Sequence, residues 1–276
     1  MMADHLPVFK LFALKYATRS ARRSEHFIGG DPHDGPMSMD YFVWVAVSEE
    51  RTVVIDTGFG EEVAARRRRT LLHDPVDALG LIGVDAATVQ DIVITHLHYD
   101  HAGNLGRFPN ARFHIQELEM HHVAGRQMKH RFIAQAFEVE DVVAMIRLNF
   151  AGRVVMHSGE TQLCDGIVLH PGPGHTPGLQ FVRVFTKRGW VVLASDASHY
   201  YENLEAGRPF TIANDIGAMV ETFDLIQSLA PSPDHIVPGH DPLVMSSYPP
   251  ASSALDGIAV RLDLPPIISR SAEAKV

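Results

Sequence analysis

Four side chains that bind metals fall within six positions of this chain: His96, His98, Asp100 and His101, in the run Thr95-His96-Leu97-His98-Tyr99-Asp100-His101. A helix brings two ligands together at a spacing of three or four, whereas the first two histidines here are two apart, so the run belongs to a strand end or a tight loop. In extended geometry His96 and His98 point the same way, and a turn beyond them swings Asp100 and His101 toward a second position. Four such groups beside a buried strand are costly to place unless a cation compensates them. Three more segments have the same chemistry: Gly172-Pro173-Gly174-His175-Thr176-Pro177-Gly178, Ser195-Asp196-Ala197 and Val237-Pro238-Gly239-His240-Asp241. His175 and His240 each follow a glycine, in loops whose Pro and Gly residues fix the backbone and so hold an imidazole in one orientation. Singly each is a weak signal, because a lone histidine in a turn is ordinarily a surface residue.

The elements that must position these groups are strands. Ile92, Val93 and Ile94 form a short β-branched run, Asp91 to Thr95, that reads as a buried strand, and His96 follows it directly. Further strands are expected over Tyr41 to Val47, Thr52 to Ile55, Arg112 to Ile115, Gly166 to His170, Leu179 to Phe185, Trp190 to Ala194 and His235 to Val237, with a first strand near Val8 to Tyr16. Helices are expected after Asp56-Thr57-Gly58 as far as Arg69 and over Ala213 to Leu229. His96, Asp196 and His240 thus lie one to three residues past the ends of apolar strands, where the loops of an α/β sheet converge on ligands. Residues 22–40, with Gly29-Gly30, Pro32, Gly35 and Pro36, read as a long loop of the kind that serves as a lid, and residues 116–150 as a mostly helical insertion. No repeat or linker cuts the chain, so residues 1–276 are expected to form a single α/β (α+β) domain.

Composition narrows the function classes. With 46% hydrophobic and 21% charged residues among 276, the chain is an ordinary globular one. Lys and Arg number 24 against 33 Asp and Glu, a formal net charge of −9, which argues against nucleic acid or an anionic membrane as a partner despite the basic run Arg66 to Arg69. No stretch reaches the roughly eighteen apolar residues that span a bilayer. The apolar start, Leu6 to Ala17, is broken by Lys10 and Lys15, so it is not read as a secretory signal, and a cytoplasmic protein is expected. The single cysteine, Cys164, forms no internal disulfide, and a metal site must be built from nitrogen and oxygen donors.

The set His96-x-His98-x-Asp100-His101, His175, Asp196 and His240, in that order and with Asp56-Thr57-Gly58 upstream, resembles the metallo-β-lactamase-fold hydrolases over roughly Tyr41 to Asp241. The resemblance implies a four-layer αββα sandwich with metals at one edge between two sheets. His96, His98 and His175 would hold one metal, Asp100, His101 and His240 the second, and Asp196 would bridge both, with Asp56 as a support beneath the site. Five imidazoles and two carboxylates without a thiolate suit two zinc ions, and iron, cobalt or manganese also fit such a set. Two cations about 3.5 to 4 Å apart share a water, lower its pKa toward roughly 7 and polarise the electrophile that it attacks. Hydrolysis by a metal-bridging hydroxide is the implied reaction.

Among the branches of that fold, the oxygen-reducing diiron one has a Glu where His98 stands, the RNA-processing ones add basic surfaces, and the secreted β-lactamases need an export signal. Overall the chain is most similar to the N-acyl homoserine lactonase group, through the loop 22–40, the block Ser195 to Leu204 and the ending Gly239-His240-Asp241. Glyoxalase-type thioesterases share the ligands and remain the alternative, followed by a metal-binding sensor without chemistry. A tyrosine three residues after the bridging Asp hydrogen-bonds the lactone in some lactonases. Here His199 stands at that position, so His199 or Tyr200 is expected to donate to a small-molecule lactone or ester, with Asp100 returning a proton. Phe27, Ile28, Met37 and Met39, with Met120, His121, His122, Met128, Phe132 and Phe137, are candidates to line an apolar pocket or a homodimer contact, although Met and aromatic residues at such spacing more often build core.

Overall fold

A computed structural model describes residues 6–270. His5 and the last six residues lie outside the described residues. The first sheet contains β1 (Lys10–Arg19), β2 (Met39–Val47), β3 (Thr52–Ile55), β4 (Thr70–Leu71), β5 (Asp91–Val93), β6 (Arg112–Gln116) and β7 (Val154–His157). The second contains β8 (Thr161–Cys164), β9 (Ile167–Pro171), β10 (Gln180–Thr186), β11 (Gly189–Ser195) and β12 (Ile236–Pro238), after which β13 (Ala259–Arg261) returns to the first. The strand order is β13-β1-β2-β3-β5-β6-β7 in one sheet, with β4 beside β1, and β12-β11-β10-β9-β8 in the other.

Period-two alternation explains why both faces of these strands are apolar. From β1 and β2, Leu11, Ala13, Phe42 and Trp44 pack between the sheets against Val182, Val184, Val191 and Leu193. Their alternate neighbours Phe12, Leu14, Tyr41 and Val43 face the other way, into a second core shared with Ala64, Leu79, Met120 and Met145. Ala64 belongs to α1 (Glu61–Arg67), Leu79 to α2 (Pro75–Leu79), Met120 to α3 (Glu117–Val123) and Met145 to α4 (Val139–Phe150). On the far side of the second sheet, Phe181 and Val192 pack on Met219, Phe223 and Ile226 of α5 (Ile216–Leu229). Helix, sheet, sheet and helix therefore form four layers, the expected αββα arrangement.

The local reading differs from the structure mainly at edges. Ile94 and Thr95 leave β5 early, because the amide of Thr95 donates to Asp56 Oδ1 at 2.7 Å. The helix expected as far as Arg69 stops at Arg67, where Arg68 turns left-handed at φ 54° and frees the chain to pair as β4. Strands β7, β8 and β13 carry no local signal, and only their neighbours call them into a sheet. Residues 22–40 are pinned to residues 202–208: Arg23 and Arg208 both bind Asp31 and Glu202 at 2.6–3.0 Å. Residues 116–150 are mostly helical, as expected. No helix among the described residues is long and apolar enough to cross a membrane.

Candidate metal centre

The seven expected donors meet at one end of the sandwich. The His96–His101 run leaves β5, His175 follows β9, Asp196 follows β11 and His240 follows β12, so both sheets contribute. All seven are buried. Donor atoms of His96, His98 and His175 lie within 4.8 Å of one another, as do those of Asp100, His101 and His240, and those of His96, His101 and Asp196. Asp196 stands between the groups: Oδ1 is 3.2 Å from His101 Nε2 and 3.0 Å from His240 Nε2, while Oδ2 is 3.3 Å from His175 Nε2.

Hydrogen bonds behind the rings set which nitrogen faces inward. His175 Nδ1 lies 2.7 Å from the Ile212 carbonyl and His240 Nδ1 2.8 Å from that of Asp40, so each donates there and presents Nε2 to the centre. His101 Nδ1 lies 2.7 Å from Asp56 Oδ2. Asp56 has no outlet toward the centre, since Thr95 donates its amide to Oδ1 and its hydroxyl to Oδ2. It is a support for His101 and for the strand end, as expected. Its left-handed backbone, φ 62°, is the strain that this placement costs.

These groups fit a metal centre for a reason internal to the structure. His175 Nε2 is 3.1 Å from His96 Nε2 and 2.8 Å from His98 Nδ1, an approach of three ring nitrogens that requires a shared cation or proton between them. Burial pushes His96 and His98 well below the usual imidazole range, and neighbouring imidazoles push the same way, so a proton is disfavoured there. At the second group His101 Nε2 and Asp196 Oδ1 are buried 3.2 Å apart but without hydrogen-bond geometry to each other or to any other described residue, an expensive state that a bound cation relieves. Although burial opposes it, the surrounding imidazoles, His240 first, hold Asp196 well below the carboxylate range, so it stays an anion. The chain must also come very close here: a side chain on Gly239 would meet Ser195 and Asp196 Oδ1 at 2.7–2.8 Å.

Above the donors opens a cavity of about 440 Å³, a size suited to a small molecule. Its lining includes the apolar Met39, Phe132, Ile133, Phe137 and Ile212 and the polar Arg19, Tyr41, Arg69 and Tyr99. His199 lines it too, stacked on Phe210 at 3.7 Å, with Nε2 3.0 Å from Asp196 Oδ2. It is thereby also within reach of the donor group of His175 and Asp196.

Tyr200 is a correction. Its hydroxyl lies 3.0 Å from His26 Nε2 and donates to the Ser38 carbonyl at 3.1 Å, its ring is fully buried, and it is not among the cavity residues. One step along the chain reverses the side chain, so Tyr200 anchors the 22–40 segment. Of the expected pocket residues, Met39, His122, Phe132 and Phe137 line the cavity, whereas Phe27, Ile28, Met37, Met120, His121 and Met128 do not. Phe27 and Met120 are core. Sequence reasoning missed Glu119. Fully buried, it accepts from the Leu97 amide (3.0 Å), the Thr176 hydroxyl (2.7 Å) and the Gly178 amide (3.2 Å), tying the two histidine loops together. A side chain on Gly178 would collide with the Glu119 backbone, which is why glycine stands there. No local signal separates Glu119 from a solvated helix residue.

The sequence profile of the metallo-beta-lactamase superfamily matches residues 38–240, which contain every one of the seven donors. The chain belongs to the metallo-beta-lactamase superfamily. Within that superfamily it is similar to an N-acyl homoserine lactonase of Bacillus sp., with 28% identity over 189 residues, 62% of this chain and 70% of that one. The structure of a quorum-quenching N-acyl homoserine lactone lactonase superposes with a TM-score of 0.72 at 23% identity, covering 86% of this chain and 94% of the other. A dizinc quorum-quenching lactonase, AidC, solved with a homoserine product, superposes at 0.62 and 18% identity over 87% and 92%. This metallo-beta-lactamase-fold protein is a metal-dependent hydrolase.

Proposed function

We propose that the protein opens lactone rings by hydrolysis, with N-acyl homoserine lactones as the substrates that fit best. The observation that carries this reading is the seven-donor centre beside a cavity lined by both apolar and polar side chains, in a chain 28% identical to a named lactonase. His96, His98 and His175 would hold one cation, Asp100, His101 and His240 a second, and Asp196 both. When bound, two zinc ions supply Lewis-acid polarisation of a carbonyl and a water acidic enough to be a nucleophile near neutral pH.

The chain's own residues do the rest. Asp56, Ile212 and Asp40 hold His101, His175 and His240 in the orientation that turns Nε2 toward the centre. Phe132, Ile133, Phe137 and Ile212 offer an acyl chain an apolar wall that excludes water. His199, held neutral by burial with its pKa lowered to about 3, lines the same cavity; its one proton is on Nε2, 3.0 Å from Asp196 Oδ2, and would reach the lactone only when the cations take up that carboxylate. Asp100 is positioned to carry a proton toward the leaving oxygen.

The test is a substrate panel, read by product mass and pH change: acyl homoserine lactones, simple lactones, aryl esters and glutathione thioesters. Lactones turned over fastest support the reading, and thioesters turned over fastest overturn it in favour of a thioesterase. Asp196→Ala is expected to lose metal and activity together, and a metal-free variant that stays active would refute the centre.

A further inference from the structure

Two arginines that line the cavity make no ion pair among the described residues. Arg19 is the last residue of β1, and Arg69 immediately precedes β4. The pairs Ala17↔Leu71 and Thr18↔Thr70 place Arg19 and Arg69 opposite each other one step further along the ladder. Both line the cavity above the donors. Like charges directly across an antiparallel pair repel, so the arrangement costs stability unless an anion lies between them.

None of the described residues supplies that anion. Asp40 is engaged by Lys15 at 2.8 Å and by the Thr18 hydroxyl at 2.6 Å, and Glu138 by Arg66 and Arg67 at 2.7 Å each. Asp100 and Asp196 belong to the metal centre. Arg19 Nε is buried and has no hydrogen-bond partner among the described residues. Arg69 spends Nε on the Tyr99 hydroxyl at 3.0 Å and one terminal nitrogen on the Arg67 carbonyl at 2.8 Å, which leaves its other terminal nitrogen for a ligand. Tyr99 in turn donates to the Tyr41 hydroxyl at 3.2 Å, so the Tyr41 proton finds no acceptor among the described residues. A buried donor without an acceptor carries a desolvation cost that a ligand removes.

We infer that Arg19 and Arg69, with the Tyr41 hydroxyl, form an anion subsite for a carboxylate carried by the substrate away from the bond that is cleaved. The preferred substrate is then an anionic lactone or ester, and a neutral acyl chain is second best. This rests on the hydrolase reading above and adds the substrate's charge to it. Two guanidinium forks match the planar geometry of a carboxylate, and the partly buried wall strengthens the contact by reducing screening. Arg67 takes no part, because Glu138 already neutralises it.

The test compares, on the metal-loaded enzyme, N-hexanoyl homoserine lactone with the analogue whose acyl chain ends in a carboxylate. Wild type is expected to favour the carboxylate substrate in kcat/KM by about tenfold or more, mainly through KM, the size of a charge-assisted contact. Arg19→Met and Arg69→Met should each bring that ratio near one, while Arg19→Lys, which keeps the charge, retains part of it. Calorimetry supplies a readout without turnover: succinate, glutarate or adipate should bind the wild-type enzyme more tightly than butyrate, and Arg19→Met should abolish the difference. Absence of any preference in wild type, or a preference that survives both Met variants, overturns the subsite. Failure of the lactonase reading is separately visible, because then neither lactone is opened while the diacid comparison still reports on the arginines.

Discussion

His199 and Tyr200 are neighbours in the chain and face different tasks. His199 lies on the cavity wall beside Asp196, whereas Tyr200 holds Ser38 and His26. His199→Gln is therefore expected to keep its metal, because seven other donors remain, and to lose about tenfold in kcat/KM, the scale of one hydrogen bond to a reacting substrate. Tyr200→Phe is expected to leave kcat/KM within about twofold and to cost about 1–2 kcal/mol of stability, from two buried hydrogen bonds. Metal analysis, steady-state kinetics and thermal melts on the two proteins check both. A Tyr200→Phe enzyme as impaired as His199→Gln would show that the 22–40 segment controls the reaction. The order of donors was legible because the ligands of β5 are crowded into six residues. The facing of Tyr200 was not, because a loop's side-chain directions depend on what it packs against.

At the scale of elements, the loops that carry the histidines are held by contacts between segments far apart in sequence. Glu119 on α3 joins the His98 loop to the His175 loop through three hydrogen bonds. Glu119→Ala leaves three buried donors without an acceptor and should cost about 2–4 kcal/mol and weaken metal binding about tenfold or more. Titration of metal into the purified variant, alongside a chemical denaturation curve, measures both. A second element carries a pH signature. Asp141, in the first turn of α4, has a buried Oδ2 with no partner, and burial, aided by the nearby Glu138, pushes its carboxyl up to about 7. The folded state thus holds a proton that the unfolded chain releases near pH 4, and stability falls as pH rises from about 4 to about 7. Asp141→Asn removes that loss. Its unfolding free energy relative to wild type should show no difference near pH 4 and rise to a gain of about 1–2 kcal/mol above pH 7, after allowing for partial solvent exposure. Parallel pH curves for the two proteins would show that the carboxyl ionises normally.

For the whole molecule, the centre is a joint between two sheets that are otherwise held by an apolar layer and by the hydrogen bonds of Gln180 to Gln116, Ile94 and His114. The first sheet contributes His96, His98, Asp100 and His101 after β5, and the second contributes His175, Asp196 and His240. Anything that binds this joint in the folded state stabilises the fold by mass action, about 4 kcal/mol when free ligand stands at a thousand times its dissociation constant. A chelator is expected to lower the melting temperature by several degrees while far-ultraviolet dichroism keeps its shape, since Trp44, Val182 and Leu193 hold the sheets together without metal. Added zinc should restore the melt. Unchanged melting after verified metal removal would show that the donors contribute nothing to folding.

The amino-acid sequence alone offered the crowded His96–His101 run, the thiolate-free chemistry and the alternating strands, all written in local spacing and side-chain type, while the full candidate donor set and the αββα sandwich came through the family resemblance. Tertiary structure decided what local spacing cannot: that Glu119 braces two loops, that Tyr200 turns away from the cavity, and that Arg19 meets Arg69 across a two-residue strand. Edge strands such as β4 and β13 have too few residues to bury a face of their own, so only the neighbouring β1 gives them a register. The excess of seventeen histidines divides in the same way. Five stand at the candidate donor positions that the resemblance implies, and the buried His26, His114 and His170 found their partners only through folding: Tyr200, Asp91 and Glu160.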